Sequence, residues 1–225
     1  MKTVVMVQPK KKTTKPKRTK YLGLINDRPH ISILIGRKGS GKSALLIKLL
    51  RDRNAYRGIY DDIIIVSPTF KLQAIWNTIS TEGVTIHESF STEVLDKIYS
   101  DKQSNPKKNT LLILDDNGED LKRIDQKNLN KLISNSRHVL LSVVILLQKV
   151  SQAPTIVRSN ADSFVCFAAT STRETDIIHA EIGILEKKDF QQIFRDATGD
   201  RYSFFVCSMI DGKLRFYKNY AVEYK

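Results

Sequence analysis

GRKGSGKS, at residues 36–43, follows the spacing G-x-x-x-x-G-K-[ST] over its whole length. The apolar run ISILI at 31–35 precedes it and predicts a buried strand, and residues 42–53 behind it have helical spacing. In such a strand–loop–helix the glycines let backbone N–H groups turn towards phosphate oxygens, and the helix N-terminus adds partial positive charge. The stretch therefore predicts a phosphate-binding loop, or P-loop, that holds a nucleotide.

Two side chains of the P-loop have specific expected roles. Lys42 is expected to reach the β- and γ-phosphates of ATP, and the Ser43 hydroxyl is expected to ligate Mg²⁺. The residues expected to bind the nucleotide are Gly36, Arg37, Lys38, Gly39, Ser40, Gly41, Lys42 and Ser43. Kinases, GTPases and motor ATPases share such a loop, so the loop alone does not name the reaction.

The rest of the chain alternates between apolar, strand-like runs and segments of helical spacing. Continuous apolar runs predict strands at 31–35, 62–66, 110–114, 140–147 and 163–167. Helical spacing covers 42–53, 72–79, 92–100, 126–134, 153–160, 174–182 and 187–197. Residues 202–208 and 213–217 flank an Asp211-Gly212 turn and predict a C-terminal β-hairpin. This order predicts an α/β fold with a mostly parallel central sheet and helices on both faces.

Basic residues are concentrated at the N-terminus. The 225-residue chain has a formal net charge of +13, and residues 1–20 carry eight basic and no acidic side chains. We expect this stretch, which also holds Pro9 and Pro16, to be a disordered tail ahead of one P-loop ATPase domain over 21–225. Such a tail suits an arm that binds nucleic-acid phosphates. A solubilising tail, or a nuclear import signal at KPKR (15–18), is the alternative interpretation.

Composition argues against several classes of protein. With 41% hydrophobic and 27% charged residues, the chain has ordinary globular usage. Its longest uncharged, mostly apolar run, 139–147, is far shorter than the ~20 residues of a membrane helix, and no secretory segment opens the sequence. Cys166 and Cys207 lie in β-like runs, so we expect buried reduced thiols rather than a disulfide or a zinc site. We therefore expect an intracellular protein without a membrane partner.

Two carboxylates follow the third predicted strand. LLIL at 111–114 runs directly into Asp115 and Asp116, which places Asp115 at the carboxyl end of a buried strand, where ligands bind in parallel sheets. Asp115 is expected to hold Mg²⁺, directly or through water, and Asp116 to orient or deprotonate an attacking water. A motor ATPase needs the second carboxylate because its nucleophile is water. Glu119 is the rival for that role.

Further polar residues flank the fourth predicted strand. Gln148 ends the apolar run 140–147, where its amide can hydrogen-bond the γ-phosphate or the attacking water and so act as a sensor of hydrolysis. Arg158, ten residues beyond it, and Arg137, before the strand, are candidates for a finger that stabilises charge on the transferred phosphoryl group from a neighbouring subunit. The guanine-specific spacing N-K-x-D does not occur, which disfavours a GTPase.

Five stretches together resemble a known family. They are GRKGSGKS at 36–43, IIIVSPTFKLQAIW at 63–76, LLILDD at 111–116, NSRHVLLSVVILLQK at 135–149 and APTIVRSN at 153–160. They resemble the genome-packaging ATPases of large DNA viruses and of their virophage and polinton-like relatives, the poxvirus-type branch of the FtsK–HerA superfamily. The P-loop and the paired aspartates occur in many ATPases, whereas the run from S-R-H through the strand to Gln, Pro, Arg and Asn is much more specific.

The resemblance implies a RecA-like P-loop core, a pentameric or hexameric homo-oligomeric ring, and ATP-driven movement of double-stranded DNA into a capsid, with a capsid protein as partner. It assigns 36–43 to the nucleotide, Asp115 and Asp116 to the second motif, Gln148 to the sensor, and Arg158 or Arg137 to the finger. The implied location is the infected host cell or the virion. The alternatives are a cellular or plasmid DNA-transfer or segregation motor, a small helicase, and a nucleotide-gated DNA-binding scaffold without turnover.

Overall fold

A computed structural model of the chain describes residues 20–73, 75–78, 83–169 and 171–225. Apart from Lys20, the predicted basic tail lies outside these ranges and stays a prediction. Within them, the strands form a single nine-stranded sheet.

The bounds of the strands and helices follow the predicted order closely. The strands are β1 (Ile31–Ile35), β2 (Asp62–Val66), β3 (Val84–His87), β4 (Thr110–Asp115), β5 (Leu141–Leu147), β6 (Ser163–Phe167), β7 (Phe204–Ile210), β8 (Lys213–Lys218) and β9 (Val222–Tyr224). The helices are α1 (Lys42–Arg51), α2 (Thr92–Ser104), α3 (Gly118–Arg123), α4 (Gln126–Asn135), α5 (Thr155–Ser159), α6 (Thr172–Ile182) and α7 (Lys187–Thr198). Short 3-10 turns lie at Trp76–Thr78 and Val150–Gln152.

The sheet is parallel over two thirds of its width and antiparallel at one side. Its strand order is β3-β2-β4-β5-β1-β6-β7-β8-β9. The six strands from β3 to β6 run parallel, and β7, β8 and β9 continue the sheet by antiparallel pairing. The predicted α/β class, the mostly parallel sheet and the C-terminal hairpin are therefore confirmed. The P-loop strand β1 is separated from the Asp115 strand β4 by one strand, β5. The P-loop and Asp115 therefore lie on either side of the end of β5.

Both faces of the sheet are covered, but unequally. Alternate residues of the strands point to opposite faces, as in any pleated strand. One face packs against α2 to α7, and α7 illustrates the contact: Phe190 and Phe194, one turn apart, lie 5.8 and 5.7 Å from the ring of Phe205 in β7. The other face packs against α1, which buries Leu46 and Leu50, and against loop residues including Tyr21, Leu24, Tyr56, Tyr60 and Trp76.

The structure differs from the predicted elements at four places. β3, α3 and β9 are not predicted, because each is a short segment that mixes polar and apolar residues and shows no clear hydrophobic period. Residues 72–79 were predicted to be helical; Trp76–Thr78 instead form a 3-10 turn, and residues 74 and 79 lie outside the described part. Trp76 is fully buried and stacks on Phe70 at 5.5 Å, a contact that favours the tighter turn.

Two further observations concern the state of the cysteines and the length of the helices. Cys166 and Cys207 are both free and buried, as predicted. Among the described residues, no helix combines the length and the apolar character needed to cross a bilayer.

Candidate nucleotide and catalytic site

The carboxyl ends of β1, β4 and β5 meet at one edge of the sheet. β5 pairs with β4 up to Asp115, which lies opposite Leu146. The pairing continues beyond the strands: the N–H of Gly36 donates to the carbonyl of Leu147 at 3.0 Å, and the N–H of Asp116 donates to that of Leu146 at 3.3 Å. The P-loop and the two carboxylates therefore both leave the sheet beside the end of β5, where the predicted sensor follows.

Glycine is required at three positions of the P-loop. Gly39 and Gly41 have φ of 78° and 105°, in the left-handed region that side chains other than glycine rarely adopt. At Gly36 a Cβ would lie 2.6 Å from Oγ of Ser40 and 2.8 Å from Cβ of Phe167, closer than any side chain tolerates. The loop therefore folds back on itself tightly, as a cradle of backbone N–H groups requires.

The centre of the P-loop is electropositive. Helix α1 starts behind a glycine with no side-chain cap and no acidic residue in its first turn, so the positive end of its dipole is not neutralised locally. Lys42 Nζ donates to the carbonyls of Gly36 at 2.5 Å and Arg37 at 3.2 Å, which places the ammonium inside the loop. Burial lowers the pKa of Lys42, while Asp115 and Asp116 oppose the shift. The exposed residues Arg37, Lys38 and Gly39 form the rim of the loop, and Ser40 and Ser43 are half-buried.

Asp115 is a buried carboxyl with too little positive charge around it. It is 3% exposed, and its Oδ2 makes no hydrogen bond of ordinary geometry to any described residue. Burial, with a smaller contribution from the neighbouring Asp116, raises the pKa of Asp115 to about 6. Lys42, the Trp76 indole and the Ser67 hydroxyl favour the charged form and limit the rise. A buried carboxylate with one oxygen that lacks a hydrogen-bond partner is costly, and a cation beside that oxygen would reduce the cost.

These residues fit a Mg²⁺ ion. Ser43 opens α1 next to Lys42, and its hydroxyl with the unpartnered Asp115 oxygen would supply the hard oxygen ligands that Mg²⁺ prefers. In the described part of the chain, no cluster of three or more His, Cys, Asp or Glu side chains could hold a metal by itself. Mg²⁺ usually keeps several waters and is held by one or two protein groups and by substrate phosphates.

Asp116 and Gln148 are in direct contact. Nε2 of Gln148 donates to Oδ1 of Asp116 at 3.1 Å, so the structure brings the predicted base and the predicted sensor together. Asp116 has φ of 62°, a left-handed conformation that is uncommon for a residue with a side chain and that turns its carboxylate out of the strand direction. Glu119 lies in α3, is well exposed, and pairs with Lys122 at 3.6 Å. The geometry therefore favours Asp116 over Glu119 as the carboxylate beside the sensor.

Gln152 and Asn117 also organise this edge, and neither is predicted from the sequence. Oε1 of Gln152 accepts from the N–H groups of Gln148 at 2.9 Å and Lys149 at 3.0 Å, and its side chain packs where a Cβ on Gly118 would lie 2.9 Å away. Nδ2 of Asn117 donates to the carbonyl of Val66 at 2.7 Å, and so joins the ends of β2 and β4. The position of Asn117 soon after the end of β4 is a sequence signal that could have indicated it. Gln152 does not directly follow a strand, and no such signal indicates it.

The two candidate finger arginines are held within their own chain. Nε of Arg158, in α5, lies 2.6 Å from Oε1 of Glu181 in α6. Arg137 precedes β5, at the edge of the sheet opposite the P-loop, where Nη2 lies 2.7 Å from Oδ1 of the buried Asp162. A finger acting in trans would serve the site of a neighbouring subunit, so both roles stay predictions.

A protein-family model matches most of the chain. The family described as Poxvirus A32 protein matches residues 17–215, which include the P-loop, both aspartates, Gln148 and the two arginines. The chain belongs to that family. The resemblance to poxvirus-type packaging ATPases, which rested on five short stretches, is thereby confirmed.

Two viral relatives are similar to this chain over most of its length. Protein 075L of Invertebrate iridescent virus 6 is 26% identical over 181 residues, which cover 77% of this chain and 69% of that protein. Protein 015R of Frog virus 3 is 25% identical over 185 residues, which cover 80% of this chain and 55% of that protein. The family member described here thus spans about half to two thirds of the length of these relatives.

A solved structure shares the fold. The genome packaging NTPase B204 of Sulfolobus turreted icosahedral virus 2, in complex with ATPγS, superposes with a TM-score of 0.59 and 19% identity. The superposition covers 84% of this chain and 96% of B204. At this identity the similarity shows the fold, and it agrees with the predicted P-loop architecture.

Proposed function

We propose that this chain is an ATP-hydrolysing motor that moves double-stranded DNA into a viral capsid, working as a pentameric or hexameric ring of identical subunits. The observation that carries the proposal is the contact between Asp116 and Gln148 at the edge of the sheet that also holds the P-loop. A second carboxylate paired with an amide beside a triphosphate site suits a reaction in which water is the nucleophile.

Each residue of the site has a defined task in this reaction. The P-loop amides and Lys42 bind the β- and γ-phosphates and offset their charge. Ser43 and Asp115 would hold Mg²⁺, which supplies neutralisation of the phosphate oxygens when bound. Asp116 accepts the proton of the attacking water, and Gln148 orients either that water or Asp116 itself through their hydrogen bond.

The family and B204 support the proposed substrate and the proposed cargo. B204, described as a genome packaging NTPase and solved with ATPγS, supports ATP as the substrate and genomic DNA as the cargo. Membership of the Poxvirus A32 protein family supports a viral motor over a cellular DNA-transfer motor or helicase. We propose a capsid protein as the docking partner, and the infected host cell or the virion as the location.

Addition of double-stranded DNA should raise the rate of phosphate release from ATP in the presence of Mg²⁺. A motor couples its chemistry to its track, whereas a nucleotide-gated scaffold binds ATP without turnover. The measurement is phosphate release with and without linear duplex DNA, using the Lys42→Ala protein as the inactive control. Tight ATP binding with no phosphate release at any DNA concentration would leave the scaffold as the better function.

Removal of residues 1–20 should weaken DNA binding through the salt dependence of its affinity. Seven basic residues lie between Lys10 and Lys20 without an acidic neighbour, so little competes with phosphate for them. Each neutralised phosphate of duplex DNA contributes about 0.9 to the slope of log K against log salt, so full engagement corresponds to a slope reduced by up to roughly 6. The loss should be similar for every DNA sequence, because phosphate contacts carry no base information.

A shorter truncation provides the matched control. Removal of residues 1–7 takes away one basic side chain, Lys2, and should change the slope by at most about 1. ATP turnover without DNA should be unaffected by either truncation, since the P-loop begins at Gly36. An unchanged slope after removal of 1–20 would assign the tail to import or to docking on an acidic capsid surface.

A further inference from the structure

An open cleft of about 320 Å³ has Tyr202, a residue that approaches the P-loop at Gly41, among its lining residues. Its walls come from α1 and from the turn that precedes β7, and include Leu45, Lys48, Arg201, Tyr202 and Phe204. None of the roles assigned above uses this cleft.

Tyr202 stands at the junction of the cleft and the P-loop. A Cβ added to Gly41 would lie 3.4 Å from Cδ1 of Tyr202 and 3.6 Å from Cε1 of Phe167, so the Tyr202 ring is within van der Waals reach of the last P-loop glycine. Tyr202 is nevertheless 56% exposed. The Arg201 guanidinium lies 4.8 Å from the ring centroid and Nη2 donates to the Tyr202 hydroxyl at 2.9 Å. The ring is thus oriented by its neighbour and not by burial in the core.

The backbone at Tyr202 is strained. Its φ is 64°, a left-handed conformation that is an outlier for a bulky residue. Hydrogen bonds within the turn hold it there: Oγ of Ser203 accepts from the N–H of Asp200 at 3.1 Å and donates to the carbonyl of Asp200 at 2.7 Å. A residue kept in such a conformation by its surroundings, with a large exposed ring, points to a functional constraint.

The strand order fixes the direction in which a bound nucleotide must extend. Asp116 and Gln148 follow β4 and β5, on one side of β1, while Tyr202 precedes β7, on the other side. The terminal phosphate has to face Asp116 for water to attack it. The nucleoside end of the same molecule therefore leaves the P-loop on the β6–β7 side, where the Tyr202 ring lies against Gly41.

We propose that Tyr202 is the platform on which the base of the bound nucleotide stacks, with the cleft holding the nucleoside. The inference rests on the proposed ATP site and adds its base subsite. Every base has a π-face, so stacking on an aromatic ring tolerates different bases. The subsite accordingly holds the base of ATP or GTP by contact area and gives little discrimination between them.

The experiment separates the base from the phosphates. Calorimetric dissociation constants with Mg²⁺ are measured for a non-hydrolysable ATP analogue and for inorganic tripolyphosphate, on the wild type, Tyr202→Ala and Tyr202→Phe. Tyr202→Ala should bind the ATP analogue about 5- to 150-fold more weakly, the range that loss of one stacked base produces. Its affinity for tripolyphosphate should be unchanged, and Tyr202→Phe should bind both probes as the wild type does. Ile184→Ala, which removes another exposed apolar side chain, is the matched control.

Each remaining outcome overturns a defined statement. Equal affinity of wild type and Tyr202→Ala for the ATP analogue, with tripolyphosphate still bound, would remove Tyr202 as the platform and leave the proposed ATP site intact. Wild type that binds neither probe would contradict the ATP site, and the base subsite with it. Tyr202→Gly guards against a folding defect: glycine tolerates φ of 64°, so its melting temperature should not fall, while its affinity for the ATP analogue drops as in Tyr202→Ala.

Discussion

The Asp116→Asn protein is expected to bind ATP and Mg²⁺ like the wild type and to hydrolyse ATP about 10²- to 10⁴-fold more slowly, the usual cost of losing one positioned base. The amide cannot take the proton of the attacking water. Its carbonyl oxygen can still accept the hydrogen bond from Nε2 of Gln148, and asparagine tolerates the left-handed φ of 62° at this position. The substitution therefore removes the base with little disturbance of the surrounding structure.

Steady-state phosphate release and ATP titration measure both effects. Two further variants serve as comparisons. Glu119→Gln changes an exposed carboxylate that pairs with Lys122, and its turnover should stay near that of the wild type. Lys42→Ala should lose nucleotide affinity as well as turnover, because the ammonium leaves the centre of the P-loop. Near-native turnover in Asp116→Asn, together with a loss in Glu119→Gln, would transfer the role of base to Glu119.

The strands of the core were predictable because a buried strand appears in the sequence as a continuous apolar run. Within β2 and β6, residues 63–66 and 164–167 are apolar on both faces and lie in the runs that predict these strands. A strand buried on both faces needs apolar residues at every position, so its ends are marked where polar residues begin. The adjacent edge strand β3, with the sequence VTIH, is only partly buried, and four residues of mixed polarity carry no period that identifies a strand.

The site was predictable only where its residues follow strand ends in sequence. Asp115, Asp116 and Gln148 could be placed because parallel strands end at one edge of the sheet. Gln152 reaches the same edge through a 3-10 turn, and Tyr202 reaches the P-loop from a turn 161 positions beyond Gly41. Such contacts depend on how distant segments pack, which local sequence does not reveal.

Arg158→Ala is expected to bind ATP normally and to hydrolyse it about 10³- to 10⁵-fold more slowly, if Arg158 is a finger that acts on the site of a neighbouring subunit. A structural role gives a competing explanation, because Nε of Arg158 lies 2.6 Å from Oε1 of Glu181 and fastens α5 to α6. A finger would have to exchange that carboxylate for the phosphoryl group of its neighbour. Turnover and ATP affinity of the purified variant, at a protein concentration where rings form, provide the first measurement.

Glu181→Gln and a mixing experiment distinguish a finger from a structural ion pair. Glu181→Gln removes the ion pair and keeps Arg158 with its bond to the carbonyl of Ala153. A structural role through the ion pair predicts comparable damage in both variants, whereas a finger predicts near-normal turnover in Glu181→Gln. Mixing Arg158→Ala with Lys42→Ala should restore part of the activity, since some interfaces of a mixed ring then combine an intact P-loop with an intact arginine. Mixed rings without rescue at any ratio would move the role to a finger in cis or to Arg137, whose guanidinium is tied to Asp162 at the opposite edge of the sheet and could serve only a neighbour.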